Sequence, residues 1–101
     1  MKTSHKWQTK QTSDLFKAIL KLRTSQEAAC FFRDLCTLEE LEEMTKRWQA
    51  VKMLAKNKPY REIAKRTNLS TTTVTRIAYW LNHGEGGYRL VLGRINKKLK
   101  N

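Results

Sequence analysis

Between Pro59 and Asn82 the chain sets small, apolar and turn-forming residues at spacings that few backbones accommodate. Two helices that cross closely through a short link restrict residue type at a handful of positions. Ile63 supplies the apolar contact of a first helix, and Ala64 beside it is small enough to let a second helix pass near. Asn68 stands where the link must turn, and asparagine is among the few non-glycine residues that tolerate a left-handed backbone. Leu69 plugs the angle from inside, while Val74 and Ile77 face the same core from the second helix. These six types at fixed spacing predict a helix-turn-helix over 59–82; the simpler alternative is a helical hairpin with the same apolar contacts.

The opposite face of the second helix sharpens that reading. Ser70 is placed to cap it, and Thr71, Thr72, Thr73, Thr75, Arg76 and Tyr79 follow. Threonine is a mediocre helix former, so a run of it is not there for helix propensity. Its hydroxyls bond phosphates or base edges, its methyls meet thymine methyls, and an arginine pairs with phosphate or guanine. Solvated capping is the plainer role for Thr71 and Thr72. Between Met44 and Gly84 there are nine Lys or Arg residues and one acid, Glu62. Of these, Lys58, Arg61, Lys65 and Arg66 would flank a groove and hold phosphates without reading sequence.

The whole chain agrees in sign, with 21 Lys plus Arg against 9 Asp plus Glu and a formal charge of +12. Such a balance favours a polyanionic partner, with double-stranded DNA as the first candidate. A membrane surface fits less well, because no apolar run approaches the ~18 residues of a spanning helix and the cations are not confined to one stripe. Met1 to Trp7 has no apolar segment behind its charges, which predicts a cytoplasmic protein and no secretory signal. Cys30 and Cys36 suit neither redox nor zinc spacing and are expected to be two buried, reduced thiols. No catalytic or metal-binding set is found, and no cofactor is implied: His5 and His83 stand apart, with no Cys/His pair, carboxylate dyad or phosphate-cradling glycine loop.

Periods along the rest of the chain are helical and broken at short intervals. Residues 1–12 read as a flexible basic arm, residues 13–96 as one helical DNA-binding domain, and residues 97–101 as a basic tail that frays. Ser13 is expected to cap a first helix, Thr24 with Glu27 a second and Thr37 with Glu40 the longest, from Leu38 to about Lys56. In that third helix Leu41, Met44, Trp48, Val51 and Leu54 or Ala55 form one apolar seam. Two short helices follow, near 60–66 and 71–82, then a break at Gly84 to Gly87 and a last helix carrying Tyr88, Val91, Leu92 and Ile95. A chain of 101 residues has too little interior for this much apolar bulk, so a second copy is the expected partner.

The run Leu38 to Trp48, the segment Tyr60-Arg61-Glu62-Ile63-Ala64, the stretch Ser70 to Leu81 and the segment Gly87 to Leu92 together resemble the Trp repressor superfamily. Within it, the resemblance is to the TrpR-related group labelled YerC/YecD, and it covers about Asp14 to Ile95. It implies an all-α, six-helix fold and an intertwined homodimer. Recognition helices would then lie about one DNA turn apart, roughly 34 Å, a spacing inherited from such dimers, Trp repressor among them. The resemblance also implies an effector pocket. Trp repressor binds L-tryptophan between two arginines, and the matching positions are Arg47 and Arg76. Ile77 and Trp80 stand where the repressor has small or ligand-holding residues, and they are expected to fill or reshape the pocket. Tryptophan is therefore not the expected effector, and another small molecule stays open.

Together these readings predict a sequence-specific transcriptional regulator acting as a homodimer, most simply a repressor. Two alternatives remain: an architectural protein with little sequence choice, and an interaction module built on the third helix and the Gly84 to Gly87 loop.

Overall fold

The computed structural model describes residues 6–100, with side chains as far as residue 97. It contains α1 (Lys10–Ile19), α2 (Ser25–Leu35), α3 (Leu38–Ala55), α4 (Tyr60–Thr67), α5 (Thr71–His83) and α6 (Gly87–Lys100). There is no strand among the described residues. No described helix is long and apolar enough to cross a membrane. The chain divides into two compact units, Met1–Glu42 and Glu43–Asn101.

In the first unit, local capping sets the helix ends. The cap of α1 is Thr9, four residues before the expected Ser13, because Thr9 and Thr12 make a reciprocal capping box. The Thr9 hydroxyl accepts from the Thr12 N–H at 3.1 Å, and the Thr12 hydroxyl accepts from the Thr9 N–H at 2.8 Å. Threonine here performs the return bond usually made by Glu or Gln. Residues 10–12 are therefore helix, not arm, and Trp7 stacks edge-on to Phe16 with centroids 6.3 Å apart. Thr24 caps α2 as expected, but Glu27 reaches past it to accept from the Arg23 N–H at 2.9 Å. Thr37 and Glu40 close the full box, at 3.1 and 2.8 Å.

No residue of α1 or α2 is buried. The two cysteines are free as expected but not buried: Cys30 is exposed and Cys36 half-buried. Cys30 lies on α2 and Cys36 caps its end, and no residue of that helix is buried, so the expectation of two sequestered thiols fails.

The second unit has a true core. Ala50 and Val51 of α3, Ile63 of α4, and Val74, Ile77, Ala78 and Leu81 of α5 are all buried, with Trp48, Leu54, Ala64, Leu69, Tyr88 and Leu92 packed partly against them. Along α3 the apolar seam is buried only in its second half, since Met44 is exposed and Ala55 also faces solvent.

Two asparagines shape the connections around α4. Asn57 and Asn68 both take the left-handed conformation, each with φ 59°. After Asn57 the Lys58 N–H bonds back to the Met53 carbonyl and the Asn57 N–H to the Leu54 carbonyl, at 3.1 and 3.0 Å. That pair of bonds satisfies carbonyls the end of α3 would otherwise leave open. Between α5 and α6 the chain passes so close to itself that a Cβ on Gly84 would lie 2.3 Å from the Trp80 carbonyl oxygen. α6 continues to Lys100, so residues 97–100 extend a helix in place of the expected frayed tail.

Candidate nucleic-acid interface

The link between α4 and α5 begins where Asn68 turns left-handed and its N–H bonds to the Ala64 carbonyl, which also accepts from the Leu69 N–H at 3.2 Å. Thr67, buried at the end of α4, donates its hydroxyl to the Ile63 carbonyl at 2.7 Å and so carries no unmet polar group inward. Ser70 then caps α5, accepting from the Thr73 N–H at 3.0 Å. These local bonds hold the two helices in contact through the apolar set anticipated from the sequence: Ile63, Val74 and Ile77 are fully buried and Ala64 and Leu69 partly so.

At 3.6 residues per turn, the buried positions Val74, Ile77, Ala78 and Leu81 define one side of α5. Thr72, Arg76, Tyr79 and His83 fall on the opposite side, and all four are exposed. Tyr79 is 61% exposed, with its ring 5.0 Å from that of His83. His83 was not singled out from the sequence, although its position four residues after Tyr79 carries the signal.

The remaining threonines divide. Thr71 is exposed at the helix start, Thr73 is half-buried with its hydroxyl accepting from the Ser70 hydroxyl at 2.9 Å, and Thr75 donates its hydroxyl to the Thr71 carbonyl at 2.9 Å. The stripe of free polar groups is thus narrower than the run of threonines. Among the cations, Arg66 pairs with Glu62 at 3.1 Å, whereas Arg61 and Lys65, one turn apart on α4, are exposed without an ion pair. Lys58 is half-buried beside a cleft of about 540 Å³ at the start of α4, which Arg89 also lines. Arg89 donates to the Asn82 side-chain oxygen at 2.7 Å, and the Asn82 amide donates to the Ala78 carbonyl at 2.9 Å. That relay was not foreseen.

On the flank of α5, Trp80 is 41% exposed and lines an apolar groove of about 740 Å³ with Trp48, Tyr88, Val91 and the Gly84 to Gly87 turn. Arg47 lies over the Trp80 ring, 5.6 Å from its centroid, and its Nε donates to Glu43 at 3.1 Å. Of the four residues expected around an effector, Arg47 and Trp80 are therefore brought together. Ile77 is not on a groove wall, since it is fully buried in the core, and Arg76 belongs to the exposed stripe. No group of three or more potential metal ligands occurs among the described residues.

A family model described as Trp repressor protein matches residues 10–96. The Bacillus subtilis (strain 168) protein YerC is 34% identical over 88 residues, which are 87% of this chain and 85% of that protein. A TrpR like protein from Eubacterium eligens ATCC 27750 has a crystal structure that matches with a TM-score of 0.85 at 38% identity, covering 90% of this chain and 94% of that one. A Staphylococcus aureus crystal structure matches with a TM-score of 0.84 at 34% identity, covering 90% and 91%.

Proposed function

The chain belongs to the Trp repressor family, and from that premise we propose that it is a DNA-binding transcriptional regulator that inserts α5 into the major groove. The observation that carries this reading is the exposed stripe Thr72, Arg76 and Tyr79, set opposite a fully apolar buried face on a helix capped by Ser70. Arg76 and Thr72 read base edges or their flanking phosphates, and the start of α5 presents Thr71 to the backbone. Arg61 and Lys65 hold phosphates alongside, in keeping with the excess of cations.

The working form is a homodimer that occupies an operator and represses. Supporting this, Phe16, Leu20, Leu35 and Leu38 of the first unit are all at least 47% exposed in the single chain, a cost that a second copy would remove. Tryptophan is not the effector in this reading, because Trp80 already stands beside Arg47. Micromolar binding of L-tryptophan in calorimetry would overturn that part.

Selection of bound sites from a random duplex pool, followed by affinity measurement at fixed salt, tests the function. A specific regulator gains ~10³-fold or more over random duplex. Equal affinity for all duplexes would replace this reading with an architectural protein. No shift of any duplex at low salt would replace it with an interaction module.

A further inference from the structure

We propose that Arg47 and Trp80 form a latch that fixes the rotation of α5 on α3, so that the reading stripe is aimed by a pair that itself touches no DNA. The inference rests on α5 being the DNA-contacting helix. Core contacts between α3 and α5 run through Ala50 and Val51, and they are apolar. Such contacts hold a helix down and, being close-packed, oppose its turning about its own axis. A directional contact on the flank adds to that resistance at the edge of the stripe. Trp80 is on the flank, four residues after Arg76 and next to Tyr79, so any rotation that moves its ring also moves the stripe.

Arg47 meets that ring in a defined geometry. Its guanidinium carbon is 5.6 Å from the ring centroid, within the ~6 Å range of a cation–π contact. Glu43, one turn earlier on α3, accepts from its Nε at 3.1 Å and so ties the guanidinium to α3. In a chain of formal charge +12, a cation held between a carboxylate and a ring is withdrawn from general phosphate attraction. The latch consists of the chain's own residues, so the stripe is in place without an added small molecule.

A double-mutant cycle tests the latch, using the full chain and a selected duplex at fixed salt. Arg47→Met should weaken binding about two- to five-fold, the scale of an exposed cation–π contact. In the Trp80→Leu background the same change should cost almost nothing, and Trp80→Leu itself should leave the slope of affinity against salt unaltered because no phosphate contact is lost. Equal cost of Arg47→Met in both backgrounds overturns the latch and marks Arg47 as an independent contact. If Trp80→Leu does not fold, Trp80→Phe takes its place, with a reduced but measurable coupling expected; none overturns the proposal. The same cycle run on urea midpoints reports the α3–α5 contact without DNA, and additive effects there also overturn it. A wild-type chain that shifts no duplex overturns only the DNA reading.

Discussion

Residues 6–42 and residues 43–97 are built from similarly capped, amphipathic helices, yet only the second set puts any side chain fully out of water. α1 and α2, of 10 and 11 residues, are below the length at which an isolated helix is more than marginal in water. Their apolar faces carry Phe16, Phe31, Phe32 and Leu35, with the last 50% exposed. The second unit instead closes Ile63, Val74 and Ile77 over Ala50 and Val51. Caps and periodicity are local and make a helix possible; burial is what makes it stable. The second unit therefore has a core of its own, whereas α1 and α2 bury no residue.

Truncation of the second unit's core should have the largest effect. Ile77→Ala should lower unfolding free energy by ~2–5 kcal/mol in urea, as large-to-small changes at fully buried sites do. A value under ~1 kcal/mol would mean that the second unit is not the stable one. On the other side, Leu35→Asp should act on association more than on folding of the head. Sedimentation should show a shift from two-chain to one-chain mass, equivalent to about 2 kcal/mol or more for a central contact. Unchanged mass would leave the apolar face of α2 without the partner proposed for it.

The next effects fall within the head. Arg76→Ala should weaken binding to a selected duplex by ~1–3 kcal/mol, whereas Lys65→Ala should weaken binding to all duplexes alike and reduce the salt slope by about 1. Wild-type affinity in Arg76→Ala would remove the exposed stripe from the mechanism. Asn68→Ala should cost about 1 kcal/mol of stability, because a Cβ-bearing residue without the asparagine side chain is strained at φ 59°. Asn68→Gly should be close to neutral by the same measure, and equal losses in both would place the role of Asn68 in its side chain and not its backbone.

Most of the head was legible because its determinants are local. The turn at Asn68, the Ser70 cap and the two faces of α5 each follow from a residue type and a spacing. What was not legible depended on where side chains end up. The start of α1 moved because Thr12 performs a bond usually read from Glu or Gln. Cys30 and Cys36 were expected inside because their spacing suits neither redox chemistry nor zinc, but excluding those roles does not establish burial, and Cys30 is exposed and Cys36 half-buried. Ile77 has two expected places, in the core with Val74 by its spacing and in the effector pocket by the family resemblance, and its full burial on the side of α5 that carries Val74 and Leu81 agrees with the first.

Thr75 gives the smallest and most discriminating prediction. Its place in the threonine run makes it equal to Thr72 as a candidate contact, but the hydroxyl of Thr75 already donates to the Thr71 carbonyl at 2.9 Å, one turn back on the same helix. A hydroxyl bonded to its own helix backbone has given up its donor, and the bond adds little stability because that carbonyl also serves the helix ladder. Thr72 has no such bond and lies at the centre of the exposed side. Thr75→Ala should therefore change affinity for a selected duplex by less than ~0.5 kcal/mol, the range of a neutral surface change, while Thr72→Ala should cost more, though less than Arg76→Ala. Anisotropy titrations of the two variants against one duplex measure the difference directly. If Thr75→Ala loses as much as Thr72→Ala, the hydroxyl leaves its intrahelical bond on DNA binding, and the reading surface is the full threonine run and not the narrower stripe.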